Sequence, residues 1–143
     1  MAARRGVLYW DTSAVMSALF RDRNSGEATA AAHEPGTHLI SSLGWAESQA
    51  VIARIERERA LASVLVAAAR EALESGPWAR VNVDPDWQQI TALARSWPLR
   101  GADLWHLAAA KTLQTELPEL RLLSFDVRLT AAAHGEGLWT ASR

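Results

Sequence analysis

The sequence predicts an α/β fold on a parallel sheet, in one domain spanning residues 1–143. Three observations carry this. Short apolar runs of strand type alternate with longer stretches of helical period. Helix-start and helix-stop residues punctuate the joins. No repeat, low-complexity tract or linker divides the chain, and 143 residues are enough to bury a core without disulfides.

Taken in order, residues 6–10, GVLYW, form the first predicted strand, and helices fit 12–20 and 25–33. A second strand follows at 38–41, then helices at 43–59 and 61–74. Ser75-Gly76-Pro77 stops the latter before a strand at 80–83. Asp84-Pro85 reads as an N-cap followed by proline at the first helical position, opening a helix at 85–96 that Trp97-Pro98 ends. A helix at 102–115, a strand at 121–125, a helix at 127–134 and a short strand at 138–139 complete the pattern. The alanine-rich stretches at 28–32 and 67–69 read as close-packed helix.

The chain has no cysteine, which excludes disulfides, zinc–thiolate sites and thiol catalysis and agrees with a reducing compartment. The start, MAARRGVLYWDTS, has an apolar run too short for a signal peptide, and Asp11 interrupts it. No stretch approaches the ~20 apolar residues of a membrane span. A cytoplasmic protein is expected. The net charge of −1 gives no overall pull toward nucleic acid, but Lys111 is the only lysine, and arginine suits bidentate phosphate contacts.

The chemistry-bearing residues are acidic. Asp11 and Asp126 each follow a predicted strand and open a helix, so a parallel sheet places both at its carboxyl edge, where open α/β sheets bind ligands. Asp103 begins a helix after the Arg100-Gly101 turn, and Glu47 lies in the first turn or so of the helix after the second strand. Taken singly, the three aspartates read as helix caps. Glu47 does not, because Gly44 occupies the position where a capping box needs Ser or Thr. Of the four acids, only Asp103 has a local partner, His106 at i+3.

Clustered carboxylates raise one another's pKa until protons or cations neutralise them. Oxygen donors without cysteine or paired histidines select Mg²⁺ or Mn²⁺ over zinc. One or two such ions, a pair being about 3.5–4 Å apart, activate water and stabilise a leaving phosphodiester oxygen. With these four of the 16 acids neutralised, 12 face 15 basic residues, a balance suited to a polyanion.

The order and context of the acids in VLYWDTSAVMSAL, SSLGWAESQAVIAR, RGADLWHLAAA and LLSFDVRLTAAAHGEGL resemble PIN-domain ribonucleases, most closely VapC-type toxins of toxin–antitoxin pairs. The resemblance spans nearly the whole chain. It implies a three-layer α/β/α fold around a parallel sheet of about five strands, with Asp11, Glu47, Asp103 and Asp126 as the catalytic acids binding Mg²⁺ or Mn²⁺. It implies endonucleolytic hydrolysis of RNA, a VapB-like antitoxin whose tail occupies an apolar groove, and a homodimer. In the family pattern the fourth acid, here Asp126, varies most. Thr12 and Ser13 match hydroxyl positions that bond a ligand carboxylate or a metal-bound water, and read equally as helix-start hydroxyls.

His106 is assigned beside these acids or against phosphate, and Arg54, Arg100 and Arg128 are assigned to RNA phosphate. Arg54 returns to the Glu47 face two turns on, while RIERERA around it reads otherwise as a solvated helix face. His33, His38 and His134 read as surface or cap residues. Trp10 and Trp45 adjoin two of the acids; core packing is the simpler role for most of the seven tryptophans, some of which suit a partner surface. The alternatives are a housekeeping nuclease in RNA processing and a non-catalytic acidic-pocket module. A phosphoacceptor receiver domain lacks its strand-end lysine here, and a dinucleotide enzyme lacks its glycine-rich turn.

Overall fold

The computed structural model describes residues 6–140. The chain runs β1 (Gly6–Trp10), α1 (Thr12–Leu19), α2 (Ser25–Ala32), β2 (Gly36–Ser41), α3 (Ser42–Arg57), α4 (Ser63–Ser75), β3 (Trp78–Val81), α5 (Trp87–Ser96), α6 (Gly101–Glu116), β4 (Leu120–Leu123), α7 (Val127–Gly135) and β5 (Trp139–Thr140). The five strands form one sheet in the order β3-β2-β1-β4-β5, and every pairing is parallel.

Side-chain alternation along β1 builds three layers. Val7 and Tyr9 face a core shared with Leu93 of α5, Leu107 of α6 and Leu129 of α7. Leu8 and Trp10 face the opposite core, with Val15 of α1, Ala28 of α2, Ile52 of α3 and Val66 of α4. β1 is thus buried on both faces, which explains its unbroken apolar sequence. Gly36 opens β2 with φ of +126°, and a Cβ there would fall 2.3 Å from the Gly6 carbonyl oxygen, so only glycine fits this join.

Several boundaries differ from the sequence reading. β3 is 78–81 rather than 80–83, because an edge strand with exposed Ala79 and Arg80 lacks the buried alternation that marks its register. β2 begins at Gly36, and β4 ends at Leu123, releasing Ser124 and Phe125 from the strand. α4 starts at Ser63, leaving Leu61 39% exposed before it. The cap of α5 is Asp86, not Asp84: the Asp86 carboxylate accepts the Gln89 N–H at 3.0 Å, and Pro85 precedes the helix instead of starting it. Other ends shift by one or two residues, as fraying termini do. Among the described residues, no helix is long and apolar enough to cross a membrane.

Candidate active site

The strand order reverses direction between β1 and β4, the place where a parallel sheet opens a crevice at its carboxyl edge. Asp11 lies there, 1% exposed. Its N–H donates to Leu123 O at 3.1 Å, and its Oδ1 caps α1 by accepting Ala14 N–H at 2.9 Å. Ser13 Oγ donates to Oδ1 at 2.8 Å, and Ser124 Oγ to Oδ2 at 2.5 Å. Burial pushes the Asp11 carboxyl up, against the lowering effect of these hydrogen bonds.

The turn after β4 completes this corner. Asp126 caps α7 through Leu129 N–H at 2.8 Å, while its own N–H donates to Ser124 Oγ at 3.0 Å. Ser13 Oγ also accepts the Phe125 N–H at 3.1 Å. One pair of hydroxyls therefore fastens α1 to the turn that carries Asp126.

Glu47 lies in the second turn of α3, which starts at Ser42 behind the Ser41 cap, one residue before the start expected from the sequence. Thr12 Oγ1 donates to its Oε1 at 2.6 Å, and His106 Nε2 approaches the same oxygen at 3.0 Å. The His106 hydrogen bond is the main cause of a lowered Glu47 pKa, opposed by partial burial. Asp103 lies in the first turn of α6 but does not cap it; Arg100 occupies the N-cap position without a side-chain bond. Burial and then the Asp126 charge raise the Asp103 carboxyl.

Asp103 and Asp126 line one cleft of about 390 Å³, with Arg100, Arg128, Phe125 and Val127. Arg54 is exposed in the last turn of α3 and does not line it. His106, 1% exposed, bonds Glu47 rather than its helical neighbour Asp103. Among the described residues, no three His, Asp or Glu side chains converge as a ready-made ion cage.

Trp10 is core, its Nε1 donating to His38 Nδ1 at 3.0 Å, and Trp45 stacks under the Arg80 guanidinium at 4.0 Å; neither walls the cleft. His33 bonds Thr29 O in its own helix, and His134 Nε2 pairs with Thr140 Oγ1. Two polar residues absent from the sequence reading join the network. Ser124 is one, signalled only by a hydroxyl two residues before an acid. Tyr9 is the other: its hydroxyl lies 2.6 Å from His106 Nδ1, and burial pushes the phenol above its ordinary range. A tyrosine inside a fully buried strand needs such a partner.

A family model for the PIN domain matches residues 8–135. No curated protein matches the sequence. Among solved structures, VapBC2 from Rickettsia felis bound to a promoter DNA fragment aligns with a TM-score of 0.59 at 13% identity, over 94% of this chain and 96% of that one. PAE2754 from Pyrobaculum aerophilum aligns with a TM-score of 0.60 at 14% identity, covering 94% and 83%. VapC20 of Mycobacterium tuberculosis, described as a sarcin-ricin loop cleaving toxin, aligns at 0.58 and 16%, covering 87% and 94%. These likenesses are likenesses of fold. With its parallel sheet, its acids at the carboxyl edge and a family match across most of its length, the chain belongs to the PIN-domain family.

Proposed function

We propose that this chain is a single-domain, divalent-metal-dependent endoribonuclease and the toxin of a VapBC-like pair, acting in the cytoplasm to inhibit translation or growth. The observation that carries the reading is the shared cleft of Asp103 and Asp126, with Arg100 and Arg128 also lining it, at the sheet edge that Asp11 occupies.

The donor set fits a hard cation. All four acids offer oxygen, and burial, joined at Asp103 by the Asp126 charge, raises the Asp11 and Asp103 carboxyls, so a cation beside them would favour their ionised form. Asp11, Glu47, Asp103 and Asp126 are the residues that would hold Mg²⁺ or Mn²⁺. When bound, the ion supplies Lewis-acid activation of water and stabilises the leaving oxygen. Thr12 and Ser13 orient Glu47 and Asp11. Arg100 and Arg128 hold the phosphates on either side of the cut, and the fully charged guanidinium suits that role.

For the partner, an apolar groove of about 440 Å³ between α1, α2 and α4, lined by Leu19, Ala32, Ala72 and Trp78 among others, suits the tail of a VapB-like antitoxin. One of the structures aligned above, VapBC2 from Rickettsia felis, is of a VapBC protein. A homodimer is part of the same reading.

The test is cleavage of a structured RNA pool by purified protein with Mg²⁺, with Mn²⁺ and with EDTA, beside folded Asp11→Asn and Asp103→Asn variants. Metal-dependent cleavage that disappears in both variants supports the reading. Cleavage that persists in either variant, or in EDTA, overturns it.

A further inference from the structure

Tyr9 and His106 are separated by 97 positions in the chain, yet meet across the contact between β1 and α6. Tyr9 is 0% exposed and His106 1%. Tyr9 Oη lies 2.6 Å from His106 Nδ1, and the opposite ring nitrogen, Nε2, lies 3.0 Å from Glu47 Oε1. An ionised carboxylate only accepts, so Nε2 carries the proton in this contact, and the Nε2–H tautomer would leave Nδ1 to accept from the Tyr9 hydroxyl. Thr12 Oγ1 donates to the same Oε1 at 2.6 Å. The ring is packed edge-on by Tyr9 and by Trp105, each with centroids 5.8 Å away.

We propose that Tyr9 and His106 are positioning residues for Glu47: the phenol selects the Nε2–H tautomer, the imidazole and Thr12 both fix Oε1, and Oε2 is left to a divalent cation. The metal half of this inference rests on the nuclease reading above. The hydrogen-bond half rests on the geometry alone. Partners that orient a ligand in this way set metal affinity by roughly 10–100-fold when removed.

The experiment uses the full chain and two readouts. Nitrogen NMR of ¹⁵N-histidine-labelled protein without metal reads the His106 tautomer, and an EPR titration with Mn²⁺ reads cation affinity in wild type, Tyr9→Phe, His106→Asn and His106→Gln. The expected results are an Nε2–H tautomer in wild type, an Mn²⁺ Kd raised roughly tenfold or more in His106→Asn, and a smaller rise in Tyr9→Phe. His106→Gln, whose amide N–H reaches the Nε2 position, should bind Mn²⁺ more tightly than His106→Asn. Tyr9→Phe removes a single hydroxyl and keeps the ring, so it decides the matter even where the His106 variants fail to fold. An Nδ1–H tautomer, or a Tyr9→Phe variant with wild-type Mn²⁺ affinity, overturns the proposal. Wild type that takes up no Mn²⁺ overturns the metal reading and the affinity half with it, while the tautomer still judges the Tyr9–His106–Glu47 chain.

Discussion

Ser124 Oγ donates to Asp11 Oδ2 at 2.5 Å and accepts the Asp126 N–H at 3.0 Å, so one buried hydroxyl couples the acid after β1 to the acid after β4. Ser124→Ala leaves both a buried carboxylate oxygen and a partly buried N–H without this partner. Such losses cost about 1–3 kcal/mol each where water cannot replace them. Urea denaturation of Ser124→Ala should show a lower midpoint, and Ser124→Thr should recover it. A serine-to-alanine variant as stable as wild type would show that Ser124 bears no weight in this corner.

Asp11→Asn should behave in the opposite way. The Asn carbonyl oxygen still caps Ala14 N–H, while the change removes a charge whose burial raises the Asp11 pKa. Without divalent ions the variant should melt at or above the wild-type temperature, and with Mn²⁺ present it should have no cleavage activity. Added Mn²⁺ should raise the melting temperature of wild type alone. A variant that melts well below wild type would mean that Asp11 acts first as a structural anion.

The two kinds of acid also impose opposite pH dependences. Asp103 is raised above its ordinary 3.8 by burial and by the Asp126 charge, so the folded chain holds its proton more tightly than the unfolded one. Its contribution is present below the unfolded pKa and is lost as pH rises through the folded value. Glu47 is lowered from 4.5, chiefly by His106, and its contribution appears above 4.5 and is lost as pH falls through the folded value. Without metal, the stability of Asp103→Asn relative to wild type should therefore increase as pH climbs from about 3.8. Denaturation series on the two proteins that run parallel across this range would contradict the sign.

What was legible in the sequence was local. The strand-to-helix joins at Asp11 and Asp126 could be read because an apolar run, a capping acid and a helical period meet there. The stops at Ser75-Gly76-Pro77 and Trp97-Pro98 were equally plain, since proline cannot continue a helix. What was not legible was partnership across the chain. Three residues along a helix leave side chains about 60° apart around its axis. His106 thus turns inward to Tyr9 and Glu47 while Asp103 faces the cleft, a choice that the i+3 spacing does not encode. The Ser124–Asp11 bond spans 113 positions and exists only because β4 lies beside β1. β3 lies two residues before the strand the sequence predicts for a related reason: an edge strand has little burial to pattern it.

Away from the acids, Gly135 and Trp97 set a packing limit. A Cβ at Gly135 would fall 2.2 Å from Trp97 Cη2, and the indole cannot simply swing away, because its Nε1 donates to Glu136 Oε2 at 2.8 Å. Glu136 also accepts from Lys111 Nζ at 2.6 Å, which is the main cause of its lowered pKa and joins α6 to the end of α7. Gly135→Ala should therefore overpack this junction and cost about 1–3 kcal/mol. Urea denaturation measures the loss, and Trp97 fluorescence should shift as the ring is displaced. An unchanged midpoint would show that the α5–α7 contact gives way at no cost.

Arg100 and Arg128 are assigned to phosphate, and salt distinguishes a phosphate contact from a general effect of charge on folding. Binding of single-stranded RNA should be measured on the Asp11→Asn background, so that nothing is cut during the titration. Removing one arginine–phosphate pairing reduces the magnitude of the slope of log affinity against log salt by about 0.7 for a single strand. Arg100→Ala and Arg128→Ala should each weaken binding and flatten that slope by about this amount, and the double variant by about twice as much. Arg54 is the informative comparison. It lies seven residues beyond Glu47, about 10 Å further along α3, and outside the cleft lined by Asp103 and Asp126. If Arg54→Ala flattens the slope as much as the cleft arginines do, the RNA runs along α3 past Glu47. If only Arg100 and Arg128 change it, the strand keeps to the α6–α7 side. Unchanged slopes in all three variants would remove these arginines from the RNA path.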